Sequence, residues 1–69
     1  MKLSARNVLK GKVTSITTGV VAAEVQVDIG GGNTITSTIT VNSVERLGLK
    51  VGRDVTAVIK ASEVILGVE

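Results

Sequence analysis

Hydrophobic and polar residues alternate most regularly between Val20 and Ile29. Val21, Ala23, Val25, Val27 and Ile29 take one parity, and Ala22, Glu24, Gln26 and Asp28 take the other. Period two with one apolar face predicts a half-buried β-strand. Val8 to Thr18 reads as an earlier strand with a fault in it. Leu9, Gly11 and Val13 share a parity that Ile16 breaks. A bulge between Val13 and Ile16 restores the pattern, and Gly11 gives a second place to bend. Bent strands of this kind are what small closed barrels require. Thr34 to Val41 is a third strand, with Ile35, Ser37, Ile39 and Val41 on one face. Thr34, Thr36, Thr38 and Thr40 line the other, an ordinary β-compatible surface and a weak case for an ice-binding ladder. Val55 to Lys60 is a fourth strand, apolar on both sides at Val55, Ala57, Val58 and Ile59, as a central strand covered on both faces would be. Val64 to Val68 is a short fifth. Met1 to Leu3 either joins a strand or frays.

The connections agree with this division. Thr18-Gly19 is the first turn. Gly30-Gly31-Gly32-Asn33 reads as a hairpin loop, where glycine takes positive φ without penalty. A phosphate-binding loop is rejected there, because no Gly-Lys-Ser/Thr follows and no helix begins. Asn42 to Leu47 reads as a short helix. Asn42 is its expected N-cap, with Glu45 three residues on as in a capping box. Val44 and Leu47 fall on one face, Gly48 is a natural terminator, and Arg46 sits near the negative end of the dipole. Leu49 to Asp54 is a loop pivoting on Gly52, and Ala61 to Glu63 is a turn. Three strands, a helix and two strands predict a mostly β fold. The expectation is a five-stranded OB-like barrel with a short helix between strands 3 and 4, one domain over residues 1–69.

Composition adds an assembly to this picture. A chain of 69 residues is one domain. One small core rarely supplies more than ~3–5 kcal/mol of net stability. With no cysteine and no histidine, neither disulfides nor a zinc site provide support. Yet 43% of the residues are hydrophobic, and none is Phe, Trp or Tyr. Such an aliphatic excess predicts a homo-oligomer. No apolar run approaches the ~18 residues of a membrane helix, and no signal-like segment follows Lys2 and Leu3. A cytoplasmic protein without a membrane partner is expected. The net charge of +2 favours an anionic ligand without naming one.

Candidate chemistry sits near the two ends. Ser4-Ala5-Arg6-Asn7 offers a hydroxyl, a guanidinium and a carboxamide, and Lys60-Ala61-Ser62 offers an ammonium and a second hydroxyl. Neither segment holds a carboxylate, an imidazole or a thiol. Enzymatic routes are poorly supplied, since the usual proton shuttle and thiol nucleophile are absent. Glu24 and Asp28 share a strand face, where carboxylates are usually just solvated, so no catalytic residue is assigned and no enzyme is expected. Nucleic acid is the habitual ligand of OB barrels, but it stacks on aromatic side chains that this chain lacks. A small oxyanion suits the inventory. Arg6 would supply a fork of donors, Lys60 a point charge, Ser4, Asn7 and Ser62 orienting donors, and the N–H groups of Ala5 and Ala61 a nest. A pocket that offers no acceptor leaves the O–H of a protonated anion unpaired, at roughly 1–3 kcal/mol. Sulfate, molybdate and tungstate avoid that cost. Three readings stay open on the residues alone: an oxyanion-binding protein, a nucleic-acid-binding module, and a structural oligomer. In the last, Arg6 and Lys60 pair with Glu63 or Asp54, or are plain solvated charges.

Several stretches together resemble a known family. They are Ser4-Ala5-Arg6-Asn7, Leu9-Lys10-Gly11 and Gly19-Val20-Val21-Ala22-Ala23-Glu24-Val25, then Ile35-Thr36-Ser37, Ser43-Val44 and Leu47-Gly48-Leu49, and last Ala57-Val58-Ile59-Lys60-Ala61-Ser62-Glu63-Val64. Over essentially the whole chain they are similar to the molbindins, the Mop domains that occur alone. The resemblance implies an OB-like protein that binds molybdate or tungstate for molybdenum storage and homeostasis, without a covalent cofactor. It implies a hexamer, a trimer of dimers, with sites at subunit interfaces. One kind of site is expected at Ser4, Ala5, Arg6 and Asn7 of one subunit with Lys60, Ala61 and Ser62 of a neighbour. A second, built from backbone N–H groups near a three-fold axis, is expected at Thr18, Gly19, Val20 and Val21.

Overall fold

The computed structural model describes residues 2–69. Met1, the first residue of the stretch expected to fray or join a strand, lies outside them. The longest element is β1, Asn7–Thr18, and two neighbours share it. Its first half pairs antiparallel with β4, Asp54–Ile59, from Asn7 opposite Ile59 to Lys12 opposite Asp54. Its second half pairs antiparallel with β2, Ala22–Gly30, from Lys12 opposite Asp28 to Thr18 opposite Ala23. The hand-over falls at Gly11 and Lys12. A Cβ on Gly11 would stand 2.4 Å from the Asp28 carbonyl oxygen and 2.8 Å from Val27 Cγ1, so only glycine lets β2 cross there. The bulge expected from the parity break is present. The register slips between Val13 and Ser15, leaving Thr14 outside the ladder with its hydroxyl donating to the Gln26 carbonyl at 3.3 Å.

β3, Asn33–Thr40, pairs with β2 across a tight glycine hairpin, which Asp28 Oδ1 braces by accepting the Gly30 N–H at 2.8 Å. The sheet order is β3-β2-β1-β4. Its concave face buries Val13, Ala23, Val25 and Val27, and Val44 of the helix lies over them. Thus β2 carries the apolar face its alternation predicted, but it starts at Ala22 rather than Val20. Val20 and Val21 lie in the preceding turn and are exposed.

Helix α1, Val41–Leu47, follows β3 without a loop. Thr40, not Asn42, is its N-cap. β3 ends at Thr40, whose extended backbone (φ −73°, ψ 152°) sets Oγ1 to accept the Ser43 N–H at 3.0 Å. Asn42 therefore falls inside the first turn, and the capping pair with Glu45 does not form. Gly48 ends the helix at φ 64°, and the Leu49 N–H donates back to the Val44 carbonyl at 3.0 Å. Val44 is buried, whereas Leu47, expected on the same face, is exposed.

Two further expectations are corrected. Among the described residues, β4 is an edge strand that pairs only with β1. No fifth strand forms at residues 64–68. The chain makes one 3-10 turn, Ala61–Glu63, and then runs on without a ladder partner. The domain is therefore a four-stranded OB-like half-barrel, not a closed five-stranded barrel. The reason lies in the edges. A groove of about 610 Å³ opens between β3 and β4, lined by Ile35 and Ile39 on one side and Val55, Ala57 and Ile59 on the other. The chain's own tail does not fill it, because Ile65, Leu66 and Val68 stand 94%, 90% and 100% exposed.

Candidate anion site

β1 begins at Asn7 and β4 ends at Ile59, directly opposite one another. Residues 4–6 and 60–62 therefore leave the sheet side by side, at the same end, although more than fifty residues separate them in the chain. Asn7 ties the two together. Its Nδ2 donates to the Ile59 carbonyl oxygen at 3.1 Å, across 52 residues of sequence. Beyond Ile59 the turn is held by the Glu63 N–H donating to the Lys60 carbonyl at 2.9 Å and the Val64 N–H donating to the Ala61 carbonyl at 3.3 Å. A single turn leaves its first N–H groups without partners. Accordingly Ala61 and Ser62 have no backbone acceptor among the described residues.

Among the described residues, neither Arg6 nor Lys60 at this end makes an ion pair. The one ion pair among the described residues joins Lys12 Nζ to Asp54 Oδ1 at 2.7 Å. Asp54 is thereby taken, and Glu63 meets neither Arg6 nor Lys60, so the neutralising pairs of the structural-oligomer reading are not made within the chain. The Lys12 hydrogen bond, aided by its charge, holds the Asp54 carboxyl below the usual aspartate range. Ser4, Arg6, Lys60, Ala61 and Ser62 are exposed, and Ala5 and Asn7 are half-buried. The arrangement in one chain is an open shelf of donors, not an enclosed pocket. Chemically, such a shelf can donate hydrogen bonds to a compact anion from one side.

Thr18, Gly19, Val20 and Val21 form the β1–β2 turn, at the opposite end of β1. The chain does not bring them to the shelf. The Gly19 N–H closes the turn on the Ala22 carbonyl at 2.8 Å, and the Val21 carbonyl accepts the Val41 N–H at 2.7 Å. Gly19 is thus not a free donor. The N–H groups of Val20 and Val21 have no backbone acceptor among the described residues, and both residues are exposed. The sequence reading missed the Asn7–Ile59 bond and the Lys12–Asp54 pair. Both depend on the β1–β4 register, which no local pattern announces.

The fold defines a class: small OB-like β-domains, here with no aromatic residue on any face. Residues 3–66 match the TOBE domain, and the chain belongs to that family. Within it the chain is of the Mop, or molbindin, type. It is 55% identical over 69 residues to a probable molybdenum-pterin-binding protein of Haemophilus influenzae, covering 100% of both chains. Molybdenum-pterin-binding protein 1 of Clostridium pasteurianum is 54% identical over 66 residues, 96% of this chain and 97% of that one. Among solved structures, MopII of Clostridium pasteurianum in an apo form matches with a TM-score of 0.89 and 52% identity, over 97% of this chain and 100% of that one. The cytoplasmic molybdate-binding protein ModG, with molybdate bound, matches with a TM-score of 0.95 and 55% identity, over 100% of this chain and 49% of that one.

Proposed function

We propose that this chain binds molybdate, and tungstate with it, as an intracellular store of the oxyanion. The observation that carries the reading is the pair of uncompensated cations, Arg6 and Lys60, which the β1–β4 register sets at one end of the sheet. Ser4, Ala5, Arg6 and Asn7 of one subunit form one half of the site, and Lys60, Ala61 and Ser62 of a neighbour form the other. A dianion there gains charge-assisted hydrogen bonds from both cations and from free N–H groups. Relatives named for a molybdenum–pterin and a neighbour holding molybdate support the element. The absence of Phe, Trp and Tyr favours the bare anion over the pterin, whose flat ring would stack on such side chains.

The assembly follows from what the single chain leaves open. An apolar groove between β3 and β4 and an exposed apolar tail at residues 64–68 are complementary, and the tail of a second copy fills the groove as the missing fifth strand. Copies so joined cover the donor shelf and bring a neighbour's Lys60, Ala61 and Ser62 against residues 4–7. Three such dimers make a hexamer, with a second set of sites at the Val20 and Val21 amides.

Equilibrium dialysis against molybdate, with sulfate and phosphate as controls, tests the reading. Arg6→Ala is expected to weaken molybdate binding by roughly ten-fold or more, as for loss of a charge-assisted hydrogen bond. Unchanged affinity in that variant removes Arg6 from the site.

A further inference from the structure

Asn7 differs from every other polar residue of the shelf. It is half-buried while Ser4, Arg6, Lys60 and Ser62 are exposed, and its carboxamide already has a partner. That partner is not local. Asparagine near a chain end commonly bonds to its own backbone neighbours. Here Nδ2 reaches the Ile59 carbonyl, 52 residues away, at 3.1 Å. Ile59 is the last residue of β4, and the β1–β4 ladder ends at the Asn7–Ile59 pair. Past that pair the turn is held only to itself, through the bonds from Glu63 to Lys60 and from Val64 to Ala61. Among the described residues, the Asn7 side chain is thus the outermost hydrogen bond fastening β4, and the turn it leads into, to β1.

The chemistry of the bond sets its direction. A backbone carbonyl only accepts, so the NH2 of the carboxamide must face Ile59. One N–H of the carboxamide is thus engaged by the protein before any ligand arrives. We propose that Asn7 is a positioning residue: it fixes the exit of β4, and with it the place of Lys60, Ala61 and Ser62 relative to the sheet, and so acts through that turn on an oxyanion held between these three residues and residues 4–7 of a neighbouring copy. This rests on the oxyanion reading, but its first consequence is visible without ligand.

The test has two arms. The first measures amide hydrogen exchange by NMR on anion-free protein. In Asn7→Ala, the Glu63 and Val64 amides should exchange about five-fold faster or more, the factor that one typical hydrogen bond is worth. The Val13 amide, bonded to the Arg53 carbonyl at 3.0 Å in the core, should keep its rate and so report an intact fold. Asn7→His, studied above pH 8 where the ring is neutral, places Nδ1–H where Nδ2 stood and should restore protection. Unchanged exchange at Glu63 and Val64 in Asn7→Ala overturns the proposal, whatever the protein binds. The second arm is a double-mutant cycle of molybdate affinity with Lys60→Ala. Positioning predicts that the double variant loses clearly less than the product of the two single losses. Simple multiplication of the losses overturns it and leaves Asn7 as an independent contact. Should the unaltered protein bind no molybdate, the functional reading fails, while the exchange arm still decides what Asn7 does.

Discussion

Gly11→Ala is the sharpest test of how β1 serves two partners. The added Cβ would meet the Asp28 carbonyl oxygen at 2.4 Å and Val27 Cγ1 at 2.8 Å, where ordinary contact begins at 3.4 Å. The valine methyl can turn aside, but the carbonyl belongs to the β2 backbone. β2 must therefore retreat from β1 by about 1 Å, which takes neighbouring ladder bonds out of the 2.7–3.2 Å range. Two such bonds at ~1 kcal/mol each, with 1–3 kcal/mol for overpacking, give a loss of about 3–5 kcal/mol. A 69-residue domain has about 3.5–10 kcal/mol in all, so the variant gives up a large part of its stability. Urea denaturation at fixed protomer concentration measures the loss. Far-UV circular dichroism is the probe, because the chain has no aromatic residue to fluoresce. Gly48→Ala is the control: its backbone is left-handed at φ 64° with open space around it, and strain alone should cost about 1–2 kcal/mol. A Gly11→Ala loss below about 1 kcal/mol would refute the close crossing at the bend.

Two other substitutions examine the frame. Thr40→Ala removes the hydroxyl that caps α1 and should cost about 1 kcal/mol in the same assay, whereas Asn42→Ala should cost little; the reverse order would restore Asn42 as the cap. The Lys12–Asp54 pair joins β1 to β4 at the bend. Because Asp54 titrates lower when folded than when unfolded, the pair stabilises above the unfolded pKa, and its contribution disappears as pH falls through the lowered folded value. Both side chains are largely exposed, so the effect is small and screened by salt. An NMR titration should show the Asp54 midpoint rising in Lys12→Met, and an unmoved midpoint would dismiss the pair.

Local pattern carried β2, the Thr14 bulge and the Gly48 stop, because each is decided by neighbours a few residues away. The helix cap was not decided locally. Thr40 and Asn42 are both good caps, and the choice fell to where β3 stops pairing with Ala22. The fifth strand shows a different limit. Residues 64–68 are apolar enough for a strand, but a strand exists only against an edge, and the lone chain offers its tail none. The same holds for β4, whose apolar residues on both faces read as central while the single chain leaves Val58 exposed at an edge. The second copy proposed above would supply the neighbour that both lack. In the proposed site, residue type singled out Arg6 and Lys60, but only the β1–β4 register brings their segments to the same end of the sheet. The commitment of Asn7 to Ile59 is likewise a tertiary fact.

Native mass spectrometry during a molybdate titration, with sulfate and phosphate as controls, tests the central claim most directly. The account predicts a hexamer that takes up several molybdates and neither control. A hexamer that takes up no molybdate, or takes up phosphate equally well, would contradict it and leave the Arg6–Lys60 shelf without its anion.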